Sequence, residues 1–299
     1  MVKRTLYFGN PVYLSLANKS LQIVYPETGE EKNAIIEDIG FVILDHNRIT
    51  LTQPLLNALL ENNAAILSCD KKHMPIGMWL NLNGNYTQQE RWHNQVKVSE
   101  SKKNRLWKQV IKQKIRNQAA LIEVKNKEVQ NMLYWADSVK NGDPKNYEAR
   151  AAAYYWKTIF VDYVDGFKRG RYQDDPNNLL NYGYAILRAV VARSLVASGL
   201  LPSFGIHHKS SYNAYCLADD IMEPYRPFVD SLVLRILEED NYGTELTTEI
   251  KKRLLQIPVM DVTIGSRLSP LMVAVQQTTS SLYKCYIGEI RKLKLPVLT

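Results

Sequence analysis

Short apolar runs separated by turn-forming residues make up the first 80 residues. SLQIVYP (20–26) alternates apolar and polar positions as a half-buried strand does, and FVILD (41–45) is typical of a short buried strand. A helix is predicted from near Thr52, with Pro54 in its first turn, and AAILSCD (64–70) predicts a strand after it. This pattern predicts a small β-rich domain with one helix over residues 1–83.

The apolar spacing becomes helical beyond residue 93. Leu106, Val110 and Ile111 recur at helical spacing, and Asp143-Pro144, with the aspartate as cap, indicates the start of a helix containing NYEARAAAYYWKTIF. Further helices are predicted over residues 181–199, 211–237, 244–256 and 269–294. Residues 84–93 are interpreted as a linker. We therefore expect an α+β fold, in which the β-domain is followed by a larger all-α domain over residues 94–299.

Composition indicates an ordinary globular protein of 299 residues, 45% hydrophobic and 23% charged. The start MVKRTLYFGN lacks the apolar segment of a signal peptide, and the longest apolar stretch, AILRAVVARSLVASGLL, is interrupted by Arg188 and Arg193. Cys69, Cys216 and Cys285 form no CxxC pair, which excludes a cysteine-rich zinc site and favours core thiols in a reducing compartment. We expect a cytoplasmic protein with no membrane segment.

Positive charge is concentrated after the β-domain. The net charge is +8, yet residues 1–85 hold seven Lys/Arg against eight Asp/Glu, while residues 97–127 hold ten Lys/Arg against two acids. This asymmetry favours a polyanion partner, most simply nucleic acid, and the alternative is a solvated helix face. Candidate phosphate contacts are Lys102, Lys103, Arg105, Lys108, Lys112, Lys168, Arg169 and Arg171. For Tyr172 we favour packing over stacking on a base.

Three carboxylates interrupt the apolar stretch GIHHKSSYNAYCLADDIMEPYRPFV (205–229). Asp220 and Glu223 lie three residues apart and share a helix face. Proline lacks an amide hydrogen, so Pro224 and Pro227 predict a kink at this point. Carboxylates are costly to bury unless something pairs with them. One interpretation is a kinked core helix whose acids pair with Arg226 or another arginine, and the other is a functional acidic cluster.

Histidines next to acids favour a metal site. His207 and His208 precede the acidic helix, and adjacent histidines do not easily face one point, so one is expected to turn toward the acids. Carboxylates with imidazole and no thiolate suit Mg²⁺ or Mn²⁺. Neither HExxH nor GxxxxGK[ST] occurs, which argues against a metalloprotease and an NTPase loop. Glu148, beside small alanines, is a second isolated acid, although a first-turn glutamate is its ordinary interpretation.

Several long stretches occur in an order that resembles one family. They are IEDIGFVILDHNRITLTQPLLNALLENNAAILSCDKKHMPIG, YEARAAAYYW, DDPNNLLNYGYAILRAVVARSLVASGLLPSFGIHH and LADDIMEPYRPFVD. End to end, the chain resembles the CRISPR-associated integrase, the endonuclease-like subunit of spacer acquisition, and its compact length is most similar to members from type II systems. The resemblance implies the same two-domain fold, with catalysis in the helical domain. It also implies metal ligands at Glu148, His208 and Glu223, with Asp220 at an additional acidic position.

The resemblance also implies an activity and partners. It implies that a DNA 3′-hydroxyl attacks a repeat phosphodiester, with Mg²⁺ or Mn²⁺ as cofactor and double-stranded DNA, both prespacer and repeat, as substrate. It implies a homodimer, a small ferredoxin-like companion subunit that completes a heterohexamer, and further type II acquisition factors. Two rival hypotheses are a non-catalytic DNA-binding scaffold and an iron enzyme with two histidines and one carboxylate. An integrase should show metal-dependent strand transfer and a scaffold should show none. An iron enzyme should show oxygen-dependent turnover.

Overall fold

Two four-stranded sheets form the first of two units. The computed structural model describes residues 3–164, 166–170, 176–239 and 245–299, and the chain divides into the units Met1–Gln88 and Gln89–Thr299. The elements of the first unit are β1 (Arg4–Phe8), β2 (Val12–Ala17), β3 (Ser20–Val24), β4 (Glu31–Ile35), β5 (Ile39–Leu44), β6 (Ile49–Leu51), α1 (Gln53–Glu61), β7 (Ala65–Cys69) and β8 (Pro75–Trp79). The sheet orders are β1-β5-β7-β8 and β4-β3-β2-β6.

Apolar periodicity explains both sheets. In β3 the alternating residues Leu21 and Ile23 are buried, as the pattern of SLQIVYP predicted. β5 pairs in parallel with both β1 and β7 and is buried along almost its whole length, which is why its sequence is a continuous apolar run. Pro54 lies in the first turn of α1, where its missing amide hydrogen costs nothing.

Helices dominate the second unit. Its elements are α2 (Gln88–Val96), α3 (Glu100–Glu123), α4 (Gln130–Ser138), α5 (Tyr147–Ile159), α6 (Asn177–Ala197), α7 (Cys216–Met222), a 3₁₀ turn (Glu223–Tyr225), α8 (Arg226–Glu238), α9 (Thr248–Leu254), β9 (Asp261–Ile264), β10 (Arg267–Pro270), α10 (Leu271–Ile287) and β11 (Pro296–Val297). The α+β class and the order of a strand-rich part before a helical part are thus confirmed. None of the helices within the described ranges is long and apolar enough to cross a membrane.

Some boundaries differ from those predicted. α2 begins at Gln88, inside the stretch interpreted as a linker. The second unit is not all-α, because β10, β9 and β11 form a small antiparallel sheet. Its hairpin turns at Gly265, which has a φ of +63°, and the two-residue Gly-Ser connection was the sequence signal for it. α10 ends at Ile287, short of residue 294, because Gly288 adopts the left-handed conformation at its C-terminus.

Two helices carry most of the core of the second unit. α6 buries residues around most of its circumference, and α3 buries the stripe that includes Leu106, Val110 and Ile111. Of the three cysteines, Cys216 and Cys285 are buried as predicted, while Cys69 is only half-buried. α3 therefore presents one apolar stripe to the core, and the site described next lies along that stripe.

Candidate active site

The acidic helix breaks at Pro224, as its missing amide hydrogen predicted. A single 3₁₀ turn, Glu223–Tyr225, separates α7 from α8. The Glu223 carbonyl accepts a hydrogen bond from the amide of Arg226. The buried Asn117 of α3 donates its Nδ2 to the Pro224 carbonyl at 2.7 Å. The kink is therefore supported by a side chain of α3.

The Asp220 carboxylate holds the loop that contains the two histidines. Asp220 is fully buried, and its Oδ2 accepts the amides of Ile206 and His207 at 2.7 and 2.9 Å. Its Oδ1 accepts the amide and the ring Nδ1 of His208 at 3.2 and 2.6 Å. Four donors occupy the two oxygens, so hydrogen bonds offset the cost of burying this carboxylate. Asp220 positions His208, and its oxygens are already committed to that task.

His208 is oriented by Asp220 and flanked by an aromatic ring. With Nδ1 bonded to Asp220, the ring offers Nε2 as its remaining nitrogen. The hydrogen bond to Asp220 raises the pKa of His208, although partial burial opposes the shift. The ring lies edge-on to the buried Trp107, at 5.9 Å between centroids. His207 instead stacks on Trp107, with centroids 4.1 Å apart and planes 3° from parallel, so the two histidines have different environments.

Glu148 and Glu223 come from distant segments and contact one ammonium group. Lys114 of α3 places its Nζ 2.7 Å from Glu148 Oε1 and 2.7 Å from Glu223 Oε2. Glu148 lies in the first turn of α5, where Asp143 accepts the amides of Tyr147 and Glu148. The Asp143 side chain thus caps the helix, but its predicted position was wrong, because the N-cap residue is Asn146 and Pro144 precedes the helix. The two glutamates that the resemblance selected therefore converge on one cationic position.

The charges around Glu223 keep it ionised. Burial alone would raise the pKa of Glu223, but Arg226 and Lys114 outweigh burial and lower it to about 2. Burial likewise opposes the charge of Lys114, and the two glutamates overcome it, so the pKa of Lys114 is raised. Arg226 Nε lies 2.9 Å from Glu223 Oε1. The cluster is thus a network of ion pairs in which the buried charges of Glu223 and Lys114 are stabilised by their neighbours.

Lys114 belongs to the candidate site, although the sequence alone did not indicate it. It was counted within the basic segment, whose charge conceals its position. It follows Val110 by four residues and Ile111 by three, so it lies on the apolar stripe of α3, and it is buried. A lysine on a buried stripe indicates a paired charge, because an unpaired ammonium is rarely buried.

The arginine interpretation of the acidic stretch is correct for Asp219. Arg188 Nε lies 2.6 Å from Asp219 Oδ1, and Asn213 donates its Nδ2 to Asp219 Oδ2 at 2.7 Å. Glu223 also has an arginine partner, Arg226. The three acids therefore have three different sets of partners, and it is Glu223 that shares Lys114 with Glu148.

The donor set suits a hard divalent cation, with one condition. Among the residues that the structure describes, no three acidic, histidine or cysteine side chains converge closely enough to chelate an ion as they stand. Within the same ranges, the buried Glu223 Oε2 accepts no well-directed hydrogen bond, even though Lys114 Nζ is 2.7 Å away. The Glu223 carboxylate, a second carboxylate and an oriented imidazole are donors of the kind that Mg²⁺ or Mn²⁺ prefers. The condition is that Lys114 must move.

A cavity of about 220 Å³ adjoins this cluster. Lys114 and Glu223 line it, together with Gln118, Arg169 and Asp230. Burial raises the pKa of Asp230 to about 6, although hydrogen bonds from two tyrosine hydroxyls oppose the shift. The cavity therefore has both cationic and anionic groups on its wall, next to the paired glutamates.

The candidate DNA contacts fall into three groups. Arg105 and Lys168 are exposed and Lys108 is half-buried. Others are engaged within the chain: Lys102 bonds the Tyr286 carbonyl, Lys103 pairs with Glu100, Lys112 pairs with Asp137, and Arg169 bonds Asn177 and Asn181. Arg171 and Tyr172 lie outside the described residues. Arg169 is thus part of the cavity wall, which its sequence position did not indicate.

Comparison with known proteins agrees with the fold and the sequence motifs. The family model for CRISPR associated protein Cas1 matches residues 6–255. The chain is 34% identical over 300 residues to a CRISPR-associated endonuclease Cas1 of Neisseria meningitidis serogroup C (strain 8013), a match covering 99% of this chain and 96% of the relative. Among solved structures, a casposase bound to integration product superposes with a TM-score of 0.80 at 18% identity, covering 98% of this chain and 93% of that one. A Cas6-RT-Cas1–Cas2 complex superposes with a TM-score of 0.78 at 19% identity, and the match covers 98% of this chain and 36% of that one.

The fold and the cluster define a two-unit α+β protein with buried acids and an oriented histidine in its helical unit. The chain belongs to the Cas1 family of CRISPR-associated proteins. The resemblance predicted from the motifs is thereby confirmed.

Proposed function

We propose that the protein integrates new spacers into a CRISPR array by metal-dependent strand transfer. The observation that carries the proposal is the convergence of Glu148 and Glu223, 75 residues apart, on one cationic position. Two carboxylates held on one positive centre, with Glu223 buried and Glu148 partly exposed, favour a site for a phosphoryl-transfer cation. The choice of DNA as substrate is supported by the relatives, which are named endonucleases, and by the casposase, whose structure holds an integration product.

In this proposal Glu148, His208 and Glu223 bind Mg²⁺ or Mn²⁺, and Asp220 positions His208. When bound, the cation stabilises the negative charge that develops on the phosphate. Asp220 fixes the ring so that Nε2 is free to bind the metal, and Arg226 restrains Glu223. Asp220 and Arg226 hold ligands in place, and neither of them contacts the reacting strand in the proposal.

The reaction proposed is a transesterification. The 3′ oxygen of the incoming strand forms a bond to the repeat phosphorus. The bond from that phosphorus to the 3′ oxygen of the adjoining nucleotide breaks, and the proton lost by the attacking hydroxyl ends on the leaving oxygen. One phosphodiester replaces another, so neither water nor an external energy source is consumed. No covalent intermediate with the protein is required.

The partners proposed are double-stranded DNA, a second copy of the chain and a small companion subunit. The companion would complete a heterohexamer, and the presence of Cas2 in two of the structurally similar complexes supports this choice. Further type II acquisition factors are proposed on the resemblance alone. The basic segment would supply phosphate contacts, beginning with the exposed Arg105 and Lys168.

Strand transfer in vitro tests the proposal. Purified protein, with the companion subunit, is incubated with labelled duplex and a supercoiled repeat plasmid in Mn²⁺, Mg²⁺ or EDTA. Joining is expected in Mn²⁺ or Mg²⁺ only. His208→Asn and Glu148→Gln should reduce it to background, because each removes a ligand while leaving the basic surface intact.

The controls replace the same residue types elsewhere. His93→Asn and Glu123→Gln change exposed side chains on α2 and α3 and should join DNA as the unaltered protein does. Joining retained in His208→Asn would reject that residue as a ligand. DNA binding without joining in every metal would reject the integrase proposal and favour the scaffold alternative.

A further inference from the structure

Lys114 occupies the place that a ligand-bound cation would need. Its ammonium lies 2.7 Å from an oxygen of each glutamate, and its side chain is only 10% exposed. A divalent cation bound by the same two oxygens would lie against the ammonium, with like charges in a buried environment. The ammonium and the metal ion therefore cannot both occupy the position between the two glutamates. The ammonium must leave when the metal ion binds.

The adjoining cavity offers the ammonium a second position. Gln118 lies one turn beyond Lys114 on α3, so the two side chains share a face. Gln118 is 3% exposed and lines the cavity, and within the described ranges its Oε1 has no hydrogen-bond partner. A buried amide oxygen without a donor carries an energetic cost that an arriving ammonium would remove.

Other positive charges near the cavity oppose the entry of the Lys114 ammonium. Arg169 and Arg226 also line it, which disfavours a third cation, while Asp230 provides one acid on the same wall. The charge of Arg226 is compensated by Glu223, while Arg169 donates hydrogen bonds to the neutral amides of Asn177 and Asn181 and keeps its charge. Moving Lys114 into this cavity is therefore feasible but costs free energy, and that cost must come from metal binding.

We propose that Lys114 is a displaceable counter-ion of the metal site. In the metal-free protein it holds Glu148 and Glu223 together, and metal binding expels its ammonium toward Gln118 Oε1. This inference rests on the proposed function, because it takes the two glutamates as metal ligands. Its consequence is that Lys114 lowers the affinity for metal while it stabilises the metal-free fold.

Calorimetric titration of the full chain with Mn²⁺ tests the inference. Lys114→Met keeps the length of the side chain and removes its charge. We expect Lys114→Met to bind Mn²⁺ at least about tenfold more tightly than the unaltered protein, within the range usual for coupled binding. Its melting temperature in EDTA should fall, and Mn²⁺ should raise that temperature by more than it does for the unaltered protein.

The matched control is Lys125→Met. Lys125 lies just beyond α3 and pairs with Glu238 rather than with Glu148 or Glu223. Loss of its charge should therefore leave Mn²⁺ affinity unchanged. A second variant, Gln118→Met, removes the receiving oxygen. It should weaken Mn²⁺ binding about threefold or more when Lys114 is present and have no effect in the Lys114→Met background.

The outcomes separate this inference from the proposed function. If the unaltered protein binds Mn²⁺ and loses binding in Glu148→Gln, but Lys114→Met binds no more tightly, the counter-ion role is wrong and the metal site stands. If neither the unaltered protein nor Lys114→Met binds Mn²⁺, the proposed metal site itself fails. Should Lys114→Met not fold, Gln118→Met decides, and an unchanged Mn²⁺ affinity in that variant would overturn the inference.

Discussion

At the scale of single residues, each acid of the stretch 205–229 that the sequence singled out has a separate role defined by its partner. Asp219 pairs with Arg188, Asp220 binds the histidine loop, and Glu223 shares Lys114 with Glu148. The spacing of the acids indicated a shared helix face, and the histidine nearby indicated a cluster. Arg226 was predicted as a partner and does pair with Glu223, whereas Lys114 and Arg188 could not be predicted because they reach the acids only through the packing of α3 and α6.

The loop before the acidic helix depends on Gly205. A Cβ at this position would lie 2.4 Å from the His208 carbonyl oxygen and 2.8 Å from Asp220 Oδ2. We expect Gly205→Ala to displace the loop and turn His208 away, with strand transfer falling about tenfold or more, as for loss of a ligand-orienting contact. The measurement is the rate of joining at saturating Mn²⁺.

A matched change is available for this prediction. Gly166→Ala alters a glycine beside which a Cβ would meet nothing within 4 Å, although its φ of +62° adds some strain. It should retain nearly full joining. Equal rates for Gly205→Ala and the unaltered protein would show that the loop tolerates the added methyl group and that its close contacts are not needed to position His208.

At the scale of elements, the apolar periodicity predicted the long helices but not the short strands or the exact helix ends. The kink at Pro224 was predictable because proline removes a specific amide hydrogen. The hairpin at Gly265 had a local signal that was overlooked, whereas the short β11 has only two residues and no pattern to detect. The predicted helix start at Asp143 was three residues too early, since the N-cap residue is Asn146, although the Asp143 side chain does accept the first helical amide.

Asn117 connects three elements through its amide. Nδ2 donates to the carbonyls of Pro224 and Pro296, and Oδ1 accepts the amide of Leu298 at 3.1 Å. Asn117→Leu would leave these buried backbone groups without that partner, at about 1–3 kcal/mol each. We expect a loss of roughly 3 kcal/mol in the free energy of unfolding, measured in urea.

The comparison for Asn117 is an exposed asparagine. Asn57→Leu on α1 removes an amide that bonds Gln53 across one helical turn, so stability should change by no more than about 0.5 kcal/mol. If Asn117→Leu is as stable as Asn57→Leu, then Asn117 does not support the kink energetically.

At the scale of the whole molecule, charge is divided between the two units. The sequence showed that the positive charge is concentrated after residue 85. It did not show which of the basic side chains are exposed at the surface. Four of the eight candidate cations make contacts within the chain: Lys103 and Lys112 form ion pairs, and Lys102 and Arg169 donate hydrogen bonds to neutral groups. Counting lysines therefore overestimates the surface available for phosphate, and the exposed positions are the better candidates.

Salt dependence distinguishes those positions. DNA affinity is expected to fall steeply with salt, and Arg105→Ala and Lys168→Ala should each reduce the slope of log affinity against log salt by about one, as loss of one phosphate contact does. Lys32→Ala, an exposed lysine of the first unit that pairs with Glu30, should leave the slope unchanged. Equal effects from all three would contradict a DNA surface confined to the basic segment.

The contacts of Asn117 also set an order of events during synthesis. A nascent chain that has emerged through Glu223 already contains both glutamates, His208, Asp220 and Lys114. It still lacks residues 296–298, which complete the contacts of Asn117 behind the 3₁₀ turn. The hydrogen bonds of Asn117 can therefore be complete only after residue 298 has left the ribosome. Until then, a partly made chain carries the glutamates and the histidine of the candidate site without the full set of contacts behind the 3₁₀ turn.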